Sequence, residues 1–132
     1  MTETMVNEKV ETKSLDTRIY TILKNLGVPC SLSGYGYLKD SIKLLYNDMS
    51  LYRKIGLVKG VYEEVARING TTRQRVERAI RHAIERAFLY SDIKIIDKIF
   101  GTSYSVEKGK ATNGEFICNI VEYLKINEED IL

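Results

Sequence analysis

Apolar residues recur along this chain at three- and four-residue intervals, and the stretches where they do so mark out helices. The clearest series is Val76, Ala79, Ile80, Ala83, Ile84, Ala87 and Phe88, at i, i+3, i+4, i+7, i+8, i+11 and i+12, which makes one stripe along an α-helix. The opposite face carries Arg75, Glu77, Arg78, Arg81, His82, Glu85 and Arg86. Just upstream, Val58, Val61, Tyr62, Val65 and Ala66 form a shorter stripe with helical spacing. Gly70 lies between the two and tolerates the positive φ of a tight reversal. Thr71, with Gln74 three residues on, fits a capping box for the helix that follows. The pattern predicts helix, glycine turn, helix, with the longer helix over about 72–88, which is a helix-turn-helix arrangement. Ala66 and Val76 suit it: a small residue lets two helices cross closely, and a branched one plugs the small core between them.

The same periodicity predicts further helices. Leu15, Ile19, Ile22, Leu23 and Leu26 make a first one, stopped by Gly27 and then Pro29. Leu38, Ile42, Leu45, Tyr46 and Met49 make a second, entered through SGYGY at 33–37 as a turn. Ile93, Ile96, Ile99 and Phe100 make a short helix ended by Gly101. Phe116, Ile117, Ile120, Val121 and Leu124 make a last one, behind a capping box at Thr112 and Glu115. No period-2 run of useful length and no internal repeat is present. The expected fold is therefore all-α, about six helices with a central helix-turn-helix and no winged β element. At 132 residues and 44% hydrophobic, the chain can bury one modest core. We expect one helical domain over 14–126, a disordered leader or the remnant of a linker at 1–13, which lacks apolar periodicity, and an acidic tail at 127–132.

Charge placement then narrows the function. The chain is only +2 overall, yet residues 67–86 hold six arginines against two acids, while 1–16 and 115–132 are both net negative. Affinity for nucleic acid depends on local phosphate neutralisation, not on the global balance. Every cation in that segment is arginine, whose planar fork grips guanine O6/N7 or a phosphate through two bonds, as lysine cannot. The pattern points to a double-stranded DNA surface. A helical hairpin that docks an acidic protein partner through the same face shares it.

Other chemistry finds little support. One histidine, His82, cannot build a histidine-rich zinc site. Cys30 and Cys118, 88 residues apart, have neither zinc nor disulfide-framework spacing, and both are expected as reduced, buried thiols. Gly34 and Gly36 make a lone G-x-G with no preceding strand, so no dinucleotide loop. Glu63–Glu64 and Glu128–Glu129–Asp130 read as solvated faces or tail, and Tyr35, Tyr37, Tyr46 and Tyr62 as walls of the core. With no nucleophile–base pair and no ligand cluster, neither catalytic residue, metal nor cofactor is expected. The chain opens on no charged-then-apolar leader and has no apolar run of the ~20 residues that span a bilayer. A cytoplasmic, nucleoid-associated protein is the expectation.

RVERAIRHAIE at 75–85 resembles the recognition helix of the stage-zero sporulation response regulators, and more of their C-terminal effector domain is visible: LGVP at 26–29, GYGYL at 34–38, YND at 46–48, NGTT at 69–72, FG at 100–101 and KATNGEF at 110–116. The resemblance runs from about Leu15 to Leu124. It implies a six-helix effector domain that binds a short DNA box as tandem head-to-tail copies and activates or represses promoters through RNA polymerase. It further implies that Glu77, Arg78 and Arg81 face base edges in the major groove, in keeping with arginine for guanine and glutamate for a cytosine N4 amine. Thr72, Gln74, Arg75 and His82 flank them as phosphate contacts, helped by the helix N-terminus. Lys108 and Lys110, in a basic loop, would touch the flanking duplex backbone. The helix from about Asp92 to Phe100 corresponds to the family's contact surface for the polymerase sigma subunit. The implied partners are double-stranded DNA and that subunit, with the protein a monomer in solution or a dimer on DNA.

Departures from the family pattern are also present. Phe88 stands where a tryptophan is usual, Ala111 where a proline is usual, and residues 50–59 match poorly. Full-length relatives carry a phosphoacceptor receiver domain, which nothing here resembles; an excised fragment and a stand-alone paralogue both fit. Two readings of other classes stay open: a protein-interaction module or anti-regulator that docks an acidic partner, and an enzyme.

Overall fold

The computed structural model describes residues 14–101 and 111–127, and among these only helices and turns occur. In chain order they are α1 (Leu15–Asn25), α2 (Ser33–Asn47), α3 (Ser50–Ile55), a π-helical turn (Leu57–Tyr62), α4 (Glu63–Asn69), α5 (Arg73–Tyr90), α6 (Ile93–Phe100) and α7 (Asn113–Ile126). The all-α expectation holds. The expected leader at 1–13, Lys108 and Lys110, the tail from 128 onward and the side chain of Val58 lie outside what is described.

The core sits where α2, α5 and α7 pack on one another. Each contributes the stripe that its periodicity marked: Leu38, Ile42 and Leu45 from α2, Val76, Ile80, Ala83, Ile84 and Ala87 from α5, and Phe116, Ile117, Ile120, Val121 and Leu124 from α7 are all buried. α1 adds Ile19, Ile22 and Leu23. Phe88 and Phe116 flank Phe100, with ring centroids 5.5 Å and 5.2 Å from it, and they close the end where α5, α6 and α7 meet. Tyr62 is buried, while Tyr35, Tyr37 and Tyr46 pack half-buried against the core, as expected of its walls. Periodicity gave no hint of Arg18, which is buried and donates to the carbonyls of Leu124 and, at 3.1 Å, Asn127. Its cation therefore meets the negative end of α7.

Four local expectations need correction. SGYGY at 33–37 is not a turn but the start of α2, because Gly34 is needed where that helix crosses α5. Ile93 opens α6 but is exposed, with Ile95 half-buried instead; nothing described covers the α5–α6 junction. Cys30, expected as buried, is exposed in the turn after Pro29, and Cys118 is half-buried; both thiols are free. The cap of α5 is Thr72, not Thr71, and α5 runs to Tyr90.

The shift of the cap has a clear cause. Gly70 takes the left-handed conformation at φ +64°, the Gly70 N–H reaches Arg67 O at 3.4 Å, and the Thr71 N–H reaches Ala66 O at 3.0 Å. These are the two bonds of a Schellman ending, so Thr71 belongs to the close of α4. The next residue, Thr72, is extended and its hydroxyl accepts the Arg75 N–H at 3.2 Å. Thr72→Ala should therefore lower stability by about 1 kcal/mol, with Thr72→Ser near neutral. Thr71→Ala, which keeps its backbone N–H, should cost less than Thr72→Ala in thermal unfolding.

Candidate nucleic-acid interface

Helix α5 is held from behind and open in front. Its 18 residues span about 27 Å at 1.5 Å per residue. Gln74, Arg75, Arg78, Arg81, His82, Glu85 and Arg86 are exposed, and Glu77 is partly so. At 3.6 residues per turn these eight cover roughly half the circumference. The rear half meets α2 closely. A Cβ on Gly34 would overlap the Ala79 carbonyl and stand 2.8 Å from the Ala83 Cβ. An α-helix is about as wide as the major groove of B-DNA, roughly 12 Å, so a helix with an exposed front half is of the right size to enter it.

The six arginines are not equivalent. Arg67 is paired in a fork with Glu64, at 3.0 and 2.6 Å, and the guanidinium's hydrogen bonds hold the Glu64 carboxyl below its usual pKa. Arg73 reaches Glu63 at 3.3 Å, and Arg81 reaches Glu77 at 3.1 Å. Arg86 lies over the Tyr90 ring, 5.2 Å from its centroid. Among the described residues Arg75 and Arg78 make no ion pair. The guanidinium charge without an ion pair therefore sits at Arg86 towards the far end of α5 and at Arg75 and Arg78 in its first two turns. The same end has the positive pole of the helix, where the Arg73 and Gln74 amides have no intrahelical acceptor. Arg78 and His82 also line a surface groove of about 300 Å³ with Leu32, Ser33, Gly34 and Ala79.

A part-buried polar contact fixes the inner side of this region. The Asn113 amide donates to the Tyr62 hydroxyl at 3.0 Å and to the Glu77 carbonyl at 3.4 Å. Burial pushes the Tyr62 phenol far above its ordinary pKa, with the Asn113 hydrogen bond opposing, so the group stays neutral.

The structure thus brings Thr72, Gln74, Arg75, Glu77, Arg78, Arg81 and His82 onto one end and one face of α5. Lys108 and Lys110 lie outside the described residues. Sequence reasoning missed Gly34, read as part of a turn, and Asn113, which it met only inside the KATNGEF motif. The two small residues of α5 that face Gly34, Ala79 and Ala83, were the available signal for the first; the second had none.

Residues 19–124 match the family model described as Sporulation initiation factor Spo0A C terminal. The match covers most of the chain, and the chain belongs to that family. It is a DNA-binding transcription regulator of the sporulation-initiation type, and the family is not one of enzymes. Among the described residues no helix is long and apolar enough to cross a membrane.

Proposed function

We propose, taking membership of that family as the premise, that this chain binds double-stranded DNA sequence-specifically by laying α5 in the major groove. Glu77, Arg78 and Arg81 turn towards base edges, and Thr72, Gln74, Arg75 and His82 towards phosphates. One observation carries the reading: the free guanidinium charge of Arg75 and Arg78 stands on the exposed face of a helix whose rear is fully packed.

The chemistry of each position supports the division. Arg78 can take guanine O6 and N7 together, and Arg81 can do so once it leaves Glu77. The Glu77–Arg81 pair is half-exposed, with side chains 41% and 55% accessible, so it contributes at most about 1 kcal/mol and is cheaply exchanged for base contacts. Released, the Glu77 carboxylate accepts from a cytosine amine and repels phosphate. This opposes registers in which the helix sits on the backbone. Arg75 and the helix N-terminus hold the phosphates that set that register. Lys108 and Lys110 add backbone contacts in the flanking duplex.

Tandem head-to-tail sites, pairing mainly on DNA and contact with the polymerase sigma subunit through α6 complete the proposal. The contact with sigma is favoured by Leu89, Tyr90 and Ile93, 72%, 67% and 64% exposed at the α5–α6 junction, since adjoining exposed apolar groups mark protein contact surfaces.

Competition binding on a duplex selected from a random pool tests the assignments. Arg78→Ala or Arg81→Ala should cost about 1–3 kcal/mol on the selected duplex and relax its base preference. Arg75→Ala should weaken selected and random duplexes alike and lower the salt slope by about one. Identical uniform losses for Arg78→Ala and Arg75→Ala would overturn the division of roles.

A further inference from the structure

We infer that Asn113 is a positioning residue for base recognition, latching α5 by its backbone at the turn that carries Glu77 and Arg81. The inference rests on the proposed reading of α5 as the base-reading helix.

Asn113 is the first residue of α7, and the capping box beside it holds it in place. The Thr112 N–H donates to Glu115 Oε1 at 2.8 Å and the Glu115 N–H to Thr112 Oγ1 at 3.1 Å. From that fixed point both hydrogens of the Asn113 amide are used, one towards Tyr62 Oη and one towards the Glu77 carbonyl. Tyr62 closes the π-helical turn and is buried. One side chain thus ties together the segment leading into α4, the second turn of α5 and the start of α7.

The Glu77 carbonyl also accepts the regular helical bond from the Arg81 N–H, and a carbonyl has two lone pairs for the two donors. The latch therefore restrains α5 without opening its helix. It also leaves the outer face of α5 untouched. Rotation or sliding of α5 by a fraction of a turn would move Glu77 and Arg81 off their bases, whereas phosphate contacts, which carry no sequence information, tolerate such movement.

Aspartate at this position separates the latch from the fold. A carboxylate near a helix N-terminus is favoured by the helix dipole, but it cannot donate to the Glu77 carbonyl. The test uses the whole chain, with the duplex selected by the wild-type protein and a random duplex as probes. Asn113→Asp should keep its thermal midpoint, bind the random duplex as the wild type does and lose about tenfold in preference for the selected one, the scale of losing one or two such hydrogen bonds. Asn113→Ala, which lacks both donors, should lose the same preference, and it carries the test if the aspartate variant does not fold. The Arg81 amide, measured by hydrogen exchange in free protein, should exchange faster in both variants.

An unchanged preference with an unchanged Arg81 exchange rate overturns the latch. So does a fall in thermal midpoint accompanied by equal losses on both duplexes, which marks a merely structural role. If the wild type shows no preference at all, the reading of α5 fails instead, and the Arg81 exchange rate alone decides whether the latch exists.

Discussion

Val76→Asp is expected to unfold the protein, with loss of the helical circular-dichroism signal, rather than merely to release it from DNA. Val76 is completely buried, one turn into α5 on the side that faces the core, and its N–H is already bonded to the Thr72 carbonyl. A carboxylate there finds no cation and leaves water at a cost of several kcal/mol. A domain of this size is stable by only about 5–15 kcal/mol, and the lost apolar burial adds to the penalty. Val76→Ala is the control. It should fold, with a loss of about 2 kcal/mol from the missing apolar contact, and bind DNA as its folded fraction allows. A Val76→Asp protein with wild-type helicity would refute the packing of α5 described above.

The second large effect concerns the glycine at the crossing of α2 and α5. Replacing a helical glycine by alanine ordinarily gains about 1 kcal/mol from helix propensity. At Gly34 we expect the opposite sign. The added methyl meets the Ala79 carbonyl and the Ala83 side chain, neither of which can swing aside, so α2 and α5 must separate. Overpacking of this kind costs about 1–3 kcal/mol, which for a domain of this size lowers the melting midpoint by several degrees. On the proposed reading of α5, whose Arg78 and His82 line the same groove as Gly34, the shift should also erode preference for a selected duplex more than affinity for random DNA. Gly36→Ala is the matched control, since a Cβ there meets nothing within 4 Å, and it should be neutral or stabilising. A midpoint that rises in Gly34→Ala would show that the crossing is looser than described.

Much of this molecule was legible in its sequence because helix periodicity and burial are the same fact seen twice. Most residues of the α1, α2, α5 and α7 stripes became the core, with Leu15, Tyr46, Met49, Ala79 and Phe88 half-buried at its margin, and the outer face of α5 stayed exposed. Reading failed where the determining contact is tertiary. Gly34 and Gly36 looked like turn residues, and only the close crossing of α5 explains a helix there. Thr71 and Thr72 are alike in composition, and the Schellman ending of α4 decides between them. The segment from Ser50 to Tyr62 is broken by Gly56 and Gly60, so no pattern announced α3, and the helical spacing of Val58, Val61 and Tyr62 did not show that their turn is π-helical. Of six arginines on paper, three are ion-paired in space and one lies over a tyrosine ring, which leaves Arg75 and Arg78. The Glu77–Arg81 pair was visible at i, i+4 spacing, but Arg73–Glu63 crosses the turn. Asn113 was hidden altogether, since its partners lie 51 and 36 residues away.

Whether the exposed arginine face of α5 reads DNA sequence is tested most directly by titrating the wild-type chain against a duplex it has selected and against a random one, over 50–200 mM salt. Sequence reading through that face requires roughly 10³-fold or greater preference for the selected duplex, with binding to both weakening steeply as salt rises. Equal affinity for the two duplexes across that range would contradict it.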